Sequence, residues 1–169
     1  GRLFTDRYLW RTHEDVRAFA FESGVAGLVG QLMGSHTARL YFDHLLIKEP
    51  RTLAPTPWHQ DAPYWPFQGR QIASAWVALT DASVEGSAME FVRGSHRDGR
   101  VYRPEVFGSA DKNGSASWQN KSEAERVPAI EADRSAFDIT GWDMRAGDAV
   151  VFSAWVLHGA RGNASAAQR

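Results

Sequence analysis

Four residues, Trp58-His59-Gln60-Asp61, bracketed by Pro57 and Pro63, constrain this chain more than any other stretch. In an extended backbone the side chains at i and i+2 point to one face, so His59 and Asp61 are expected to project an imidazole and a carboxylate together. A second histidine, His158 in Ala154-Trp155-Val156-Leu157-His158-Gly159, follows about a hundred residues later. Two histidines and one carboxylate on one side of a metal leave the opposite coordination positions open, which is the arrangement of non-haem Fe(II) sites. His59, Asp61 and His158 are therefore the expected iron ligands, with the rest of the chain serving them.

The flanking sequence changes period along its length. Residues 12–34 read as helical, with Thr12 as a cap and Asp15 three residues on as an approximate capping box. Val16, Phe19 and Ala20 follow at helical spacing. Ser23 is expected to start a second helix with Val25, Leu28, Val29 and Leu32 as its buried stripe, and Gly34 suits the left-handed residue beyond a helix end. From residue 38 the pattern turns to strands: Arg39 to Lys48, Gln71 to Thr80, Ala88 to Val92, Trp142 to Met144 and Ala149 to Ala154, separated by Gly-, Pro- and Asp-bearing turns. The segment from Pro63 to Gly69 is too rich in proline for a central strand. Residues 97–135 show little periodicity and read as a long loop, of the kind that serves as a lid or a binding loop. Short strands after leading helices predict a mainly β fold, a barrel or sandwich with a helical layer, in one domain spanning 1–169.

Composition removes several classes of function. With 43% hydrophobic residues in 169, the chain can bury a core of its own. A net charge of −1 and the lack of a basic stripe argue against nucleic acid and anionic membranes as partners. No apolar run reaches the ~18 residues that span a bilayer. The absence of cysteine excludes disulfides, thiolate metal sites and cysteine nucleophiles, and fits a reducing compartment such as the cytoplasm. Gly1 is an unusual first residue and Arg169 falls inside a pattern, so both termini are expected to be truncated. Oligomeric state is not legible.

With these stretches in view, the chain resembles the phytanoyl-CoA dioxygenase family of Fe(II)/2-oxoglutarate oxygenases. The resemblance runs from about Leu32 to Arg169. It is carried by Leu45-Leu46-Ile47-Lys48-Glu49-Pro50, Trp58 to Phe67, Ala75-Trp76-Val77-Ala78-Leu79, Glu90 to His96, Ala146-Gly147-Asp148 and His158-Gly159-Ala160, with Asn163, Ser165 and Arg169. The resemblance implies a double-stranded β-helix (jelly roll, cupin-like) with helices packed outside. It implies His59, Asp61 and His158 as iron ligands and Arg169 as the partner of the distal carboxylate of 2-oxoglutarate, a task that suits the planar guanidinium fork. Trp76 matches a strand tryptophan beside the cosubstrate. His44 stands at a cosubstrate-contact position where relatives often carry methionine. The implied reaction is hydroxylation of an unactivated C–H in a small organic substrate by O2, with release of succinate and CO2. Asp61 argues against halogenation, because halogenating relatives lack this carboxylate.

Some assignments stay open at this level. Trp76 is equally at home as plain core. Tyr64, Trp65 and Phe67 read either as core or as the floor of a substrate pocket. Gln60 reads as a backbone partner behind the ligands. His13, His36 and His96 read as surface or turn residues, and Arg97, Arg100 and Arg103 as solvated cations. Two other functions use the same residues: a cupin-like metalloenzyme without 2-oxoglutarate, in which Arg169 has no task, and a non-catalytic jelly-roll binding module.

Overall fold

A computed structural model describes residues 1–66, 68–104 and 124–166. Among the described residues, eight strands form three antiparallel groups: β1 (Leu3–Arg7) with β2 (His44–Lys48), β4 (Ala73–Val77) with β7 (Ala149–Ser153), and a four-stranded sheet in the order β3 (Thr56–His59), β8 (His158–Ala160), β5 (Met89–Val92), β6 (Ile139–Gly141). This four-stranded sheet brings together the two stretches that sequence reasoning singled out. β3 lies against β8 with His59 and His158 as register partners.

Alternation along these strands separates two environments. Trp58, Val92 and Leu157 point to one side, where they form a buried core with Tyr102 and Ile130. Val127, Phe137 and Ile139 pack against that core. His59, Phe91 and His158 point to the other side. The core side is closed by the turns Ile130–Ala132 and Arg134–Ala136. Trp58 Nε1 donates to Glu131 at 2.7 Å, and Arg134 bonds both Glu131 at 2.7 Å and the buried Glu90 of β5 at 2.6 Å. Arg161 reaches Glu90 from the other end at 3.3 Å, so the buried carboxylate is flanked by two guanidinium groups.

Several sequence-based boundaries are corrected. The expected strand Arg39–Lys48 is ordered as a strand only from His44. Its partner β1, not anticipated from the sequence, ends at Arg7 opposite His44, and just before that point the Asp43 carboxylate accepts the backbone N–H groups of Leu9 and Trp10. The expected strand Trp142–Met144 is displaced to β6, leaving Met144 in a single bridge to Ala82. Strand β4 occupies the middle of the expected Gln71–Thr80 run, and β5 and β7 match their expected segments to within a residue. The loop expected over 97–135 contains two 3-10 turns and a bridge between Tyr102 and Glu125, and its part from 105 to 123 lies outside the described residues.

The helical layer forms as α1 (Glu14–Glu22) and α2 (Val25–Leu32). Thr12 does not cap it; the residue before α1 is His13, which contributes no side-chain cap. Ser23 closes α1, and left-handed Gly24 (φ 82°) opens α2. Gly34 adopts the expected left-handed conformation with φ 61°. The expected buried stripes are not buried. Val16, Val25 and Val29 are half-buried, Phe19 and Leu28 are each 45% exposed and Leu32 is 64% exposed, leaving Gly30 as the one buried residue of the two helices. No helix among the described residues is long and apolar enough to cross a membrane.

Candidate metal centre

The β3–β8 pairing is irregular where it matters. Thr56 faces Ala160 and His59 faces His158, so two residues intervene on β3 and one on β8. This is a β-bulge, and Pro57, which has no N–H to give a ladder, sits inside it. Gly159 makes the close approach possible, since a Cβ there would stand 3.0 Å from Thr56 O and 3.3 Å from Trp58 Cδ2. Asp61 lies beyond the end of β3 with φ −74° and ψ −44°. The extended-backbone reason expected for pairing His59 with Asp61 is therefore replaced by a strand end followed by a helical turn, Ala62–Tyr64. Ala62 N donates to Ala154 O at 3.0 Å and fixes that turn to the approach to β8.

The three groups converge. One ligand atom from each of His59, Asp61 and His158 lies within 4.8 Å of the others. Asp61 Oδ1 is 3.4 Å from His59 Nε2 and 3.5 Å from His158 Nε2. The side chains of His59 and His158 are 10% and 3% exposed, and that of Asp61 is 21% exposed. Each histidine has its Nδ1 on a backbone carbonyl, His59 on Pro57 O at 2.8 Å and His158 on Val156 O at 3.0 Å. A carbonyl only accepts, so Nδ1 carries the proton and, in the neutral ring, Nε2 presents a lone pair. Metal-bound histidines are oriented by this same kind of bond. Burial lowers the His59 pKa, and the neighbouring His158 lowers it further against the opposing pull of Asp61. Burial pushes the Asp61 carboxyl up, but His158 and His59, when protonated at Nε2 as well, outweigh it by hydrogen bond and charge and hold the group well below the usual carboxylate range. Three electron-pair donors thus face one another in a buried space, an arrangement that a cation satisfies. Two imidazoles and a carboxylate on one side fit Fe(II).

Neighbouring side chains brace the donors. Gln60, buried, bonds three backbone groups: Nε2 donates to Arg100 O at 3.0 Å and Trp155 O at 2.8 Å, and Oε1 accepts Tyr102 N at 3.0 Å. The sequence reading of Gln60 as a backbone partner holds. The Phe152 ring of β7 lies 4.8 Å from the His158 ring, and Tyr64 meets His59 edge-on at 5.8 Å. Ser74 Oγ donates to Asp61 Oδ2 at 2.5 Å, a contact that sequence reasoning missed. The only signal for it was its place two residues before Trp76, on the same face of the strand.

The other expected site residues divide. Trp76 is half-buried on β4 opposite Val150, sharing the face of Ser74. His44 opens β2; its Nε2 is buried without a hydrogen-bond partner. Burial and then the Arg7 charge lower the His44 pKa, with the Asp61 and Asp43 charges opposing. Trp65 belongs to an aromatic group with Tyr41 and Phe42, at ring separations of 5.9 and 6.0 Å. Asn163, fully buried, donates to Lys48 O at 3.1 Å and accepts from Ser165, which secures the chain after β8. Arg169 and Phe67 lie outside the described residues.

Fold and donor set together define a class, the jelly-roll proteins that present a two-histidine, one-carboxylate face to a metal. The sequence matches the phytanoyl-CoA dioxygenase (PhyH) family over residues 1–169, and the chain belongs to that family. No curated protein matches it at the level of sequence. Among solved structures it is similar to the non-haem alpha-ketoglutarate-dependent carbocyclase SnoK from nogalamycin biosynthesis, with 24% identity and a TM-score of 0.73 over 99% of this chain and 60% of that one. It is similar to the epimerase SnoN, solved with Fe3+, alpha-ketoglutarate and nogalamycin RO, with 26% identity and a TM-score of 0.71 over 99% of this chain and 60% of that one. EvdO2 from Micromonospora carbonacea var. aurantiaca, solved with 2-oxoglutarate, shares 22% identity and a TM-score of 0.77 over 99% of this chain and 63% of that one. The chain therefore spans less than two thirds of the length of these relatives.

Proposed function

We propose that this chain is an Fe(II)/2-oxoglutarate-dependent oxygenase that hydroxylates an unactivated C–H of a small organic molecule. The observation that carries the reading is the convergence of His59 Nε2, His158 Nε2 and Asp61 Oδ1, with both Nδ1 atoms committed to backbone carbonyls. Family membership and relatives solved with iron and 2-oxoglutarate support it. Fe(II), when bound, supplies O2 activation with 2-oxoglutarate as the co-reductant, yielding succinate, CO2 and oxidised substrate. The chain's own part is geometry. His59, Asp61 and His158 offer one face to the metal, and Gln60 and Phe152 hold that face in place. In this reading Arg169 binds the distal carboxylate of 2-oxoglutarate, Trp76 and His44 stand on the cosubstrate side, and Tyr64 beside His59 presents an apolar wall to the substrate. Carbocyclase and epimerase relatives show that the final outcome varies among similar folds. Hydroxylation is our reading because Asp61 occupies the position that halogenating enzymes vacate. Residues 1–169 act as one domain, and the cysteine-free composition suits the cytoplasm.

The test is an anaerobic titration followed by visible absorption. A weak metal-to-ligand charge-transfer band that requires both Fe(II) and 2-oxoglutarate is expected. Iron binding without that band points to a cupin-like enzyme that does not use 2-oxoglutarate. Failure to bind iron would leave a non-catalytic binding module.

A further inference from the structure

We propose that Ser74 is a positioning residue that restricts Asp61 to one oxygen toward the metal; this rests on reading His59, Asp61 and His158 as a metal centre. The two oxygens of Asp61 have different surroundings. Oδ1 faces the imidazole nitrogens at 3.4 and 3.5 Å, whereas Oδ2 accepts the Ser74 hydroxyl at 2.5 Å. An ionised carboxylate only accepts, so the hydroxyl donates, and its length marks a charge-assisted bond. Asp61 needs such support because it lies past the end of β3, where no strand ladder holds it. Ser74 is placed by a regular strand pairing, opposite Phe152, and the Phe152 ring packs on His158. One strand pair thus orients two members of the donor set, the carboxylate through a hydrogen bond and the histidine through ring packing. With Oδ2 engaged by Ser74, the carboxylate supplies a single donor and one further coordination position stays free for exogenous ligands. Without the hydroxyl, Oδ2 is free to swing toward the metal and occupy it.

The wild type, Ser74→Ala and Ser74→Thr are titrated without oxygen, first with Fe(II) alone and then with Co(II) alone, whose visible d–d band reports the ligands and geometry around the metal. Ser74→Ala is expected to bind Fe(II) roughly 10-fold more weakly or worse, the usual cost of losing a group that orients a ligand. Its Co(II) band should differ from that of the wild type in position or intensity. Ser74→Thr, which keeps the hydroxyl on a strand-favouring side chain, should restore both properties. If the alanine variant does not fold, as judged by its melting transition, Ser74→Val takes its place with the same expectations, since valine matches threonine in shape and lacks the hydroxyl. Equal affinity and an unchanged Co(II) band in the variant lacking the hydroxyl would overturn the proposal. So would a threonine variant as impaired as the alanine one, because the effect would then be packing. A wild-type protein that binds neither metal would overturn the metal centre itself, an outcome distinct from a wild type that binds and a variant that matches it.

Discussion

In β3, β5 and β8 the buried positions include polar ones, His59, Glu90 and His158, and each has its partners: backbone carbonyls for the two histidines, two arginines for Glu90. In α1 and α2 the situation is reversed. Phe19, Leu28 and Leu32 are exposed although their spacing is that of a buried stripe. The difference lies in what each region packs against. The sheet strands come from distant parts of the chain and bury one another on both faces. The helices make their contacts mainly with each other and with the adjoining turn, so periodicity alone buries little. A hydrophobic pattern identifies an element, and only its neighbours decide whether the apolar face is covered.

Substitutions in the two regions should therefore differ widely. The largest effect is expected at the donor set. His158→Ala removes a lone pair from the site and should weaken Fe(II) binding by more than the roughly 100-fold that marks the upper end for supporting residues. Equilibrium metal binding would show this, and an unchanged circular dichroism spectrum would separate it from unfolding. Retained tight binding would break the assignment. Next comes the core side of the same sheet. Ile130, 1% exposed, should cost about 3 kcal/mol as Ile130→Ala, read by urea denaturation.

A smaller, pH-dependent effect is expected at Lys48. This residue is buried, with Nζ donating to Ser87 Oγ and Arg161 O at 2.8 Å each, and burial pushes its pKa down to about 8 from the usual 10.5. The folded protein then sheds this proton at lower pH than the unfolded chain does, so folding stability rises between about pH 8 and the lysine's ordinary value. The full cost of burying the charge is present below that window. Lys48→Met should lack the rise, and denaturation midpoints across the window for the two proteins would reveal it; parallel curves would refute the shift. The smallest effect belongs to the helical layer. Leu32→Ala should change stability by no more than about 0.5 kcal/mol. A cost several times larger would mean that this face is covered in solution, and the contrast between the two regions would shrink.

The convergence of His59, Asp61 and His158 was legible because metal chemistry accepts few residue types and the flanks of His59 and His158 are distinctive. β4, β5 and β7 were legible as apolar runs bounded by turn residues. Other features left little or no sequence trace. Ser74 is a small polar residue in a strand, a common occurrence with no signal of its own. β1 carries no buried side chain, so its sequence offered no alternation to read. The truncation of β2 at His44 depends on the Asp43 carboxylate capturing two backbone N–H groups from a distant turn. Asp61 was grouped with His59 for a reason the backbone does not follow, since its i+2 relation to His59 crosses a strand end.

The bulge in β3 has a consequence for inheritance. It absorbs an extra residue on β3 that β8 opposite does not have, so a one-residue change in length between His158 and Ala160 would exchange the faces of β8, placing Leu157 where the donors converge and His158 in the apolar core. In coding DNA this is the loss or gain of one codon, with the reading frame intact and the composition almost unaltered. Such a lesion would be more damaging than most amino-acid replacements in the same segment. At this point the gene is far more sensitive to length than to spelling.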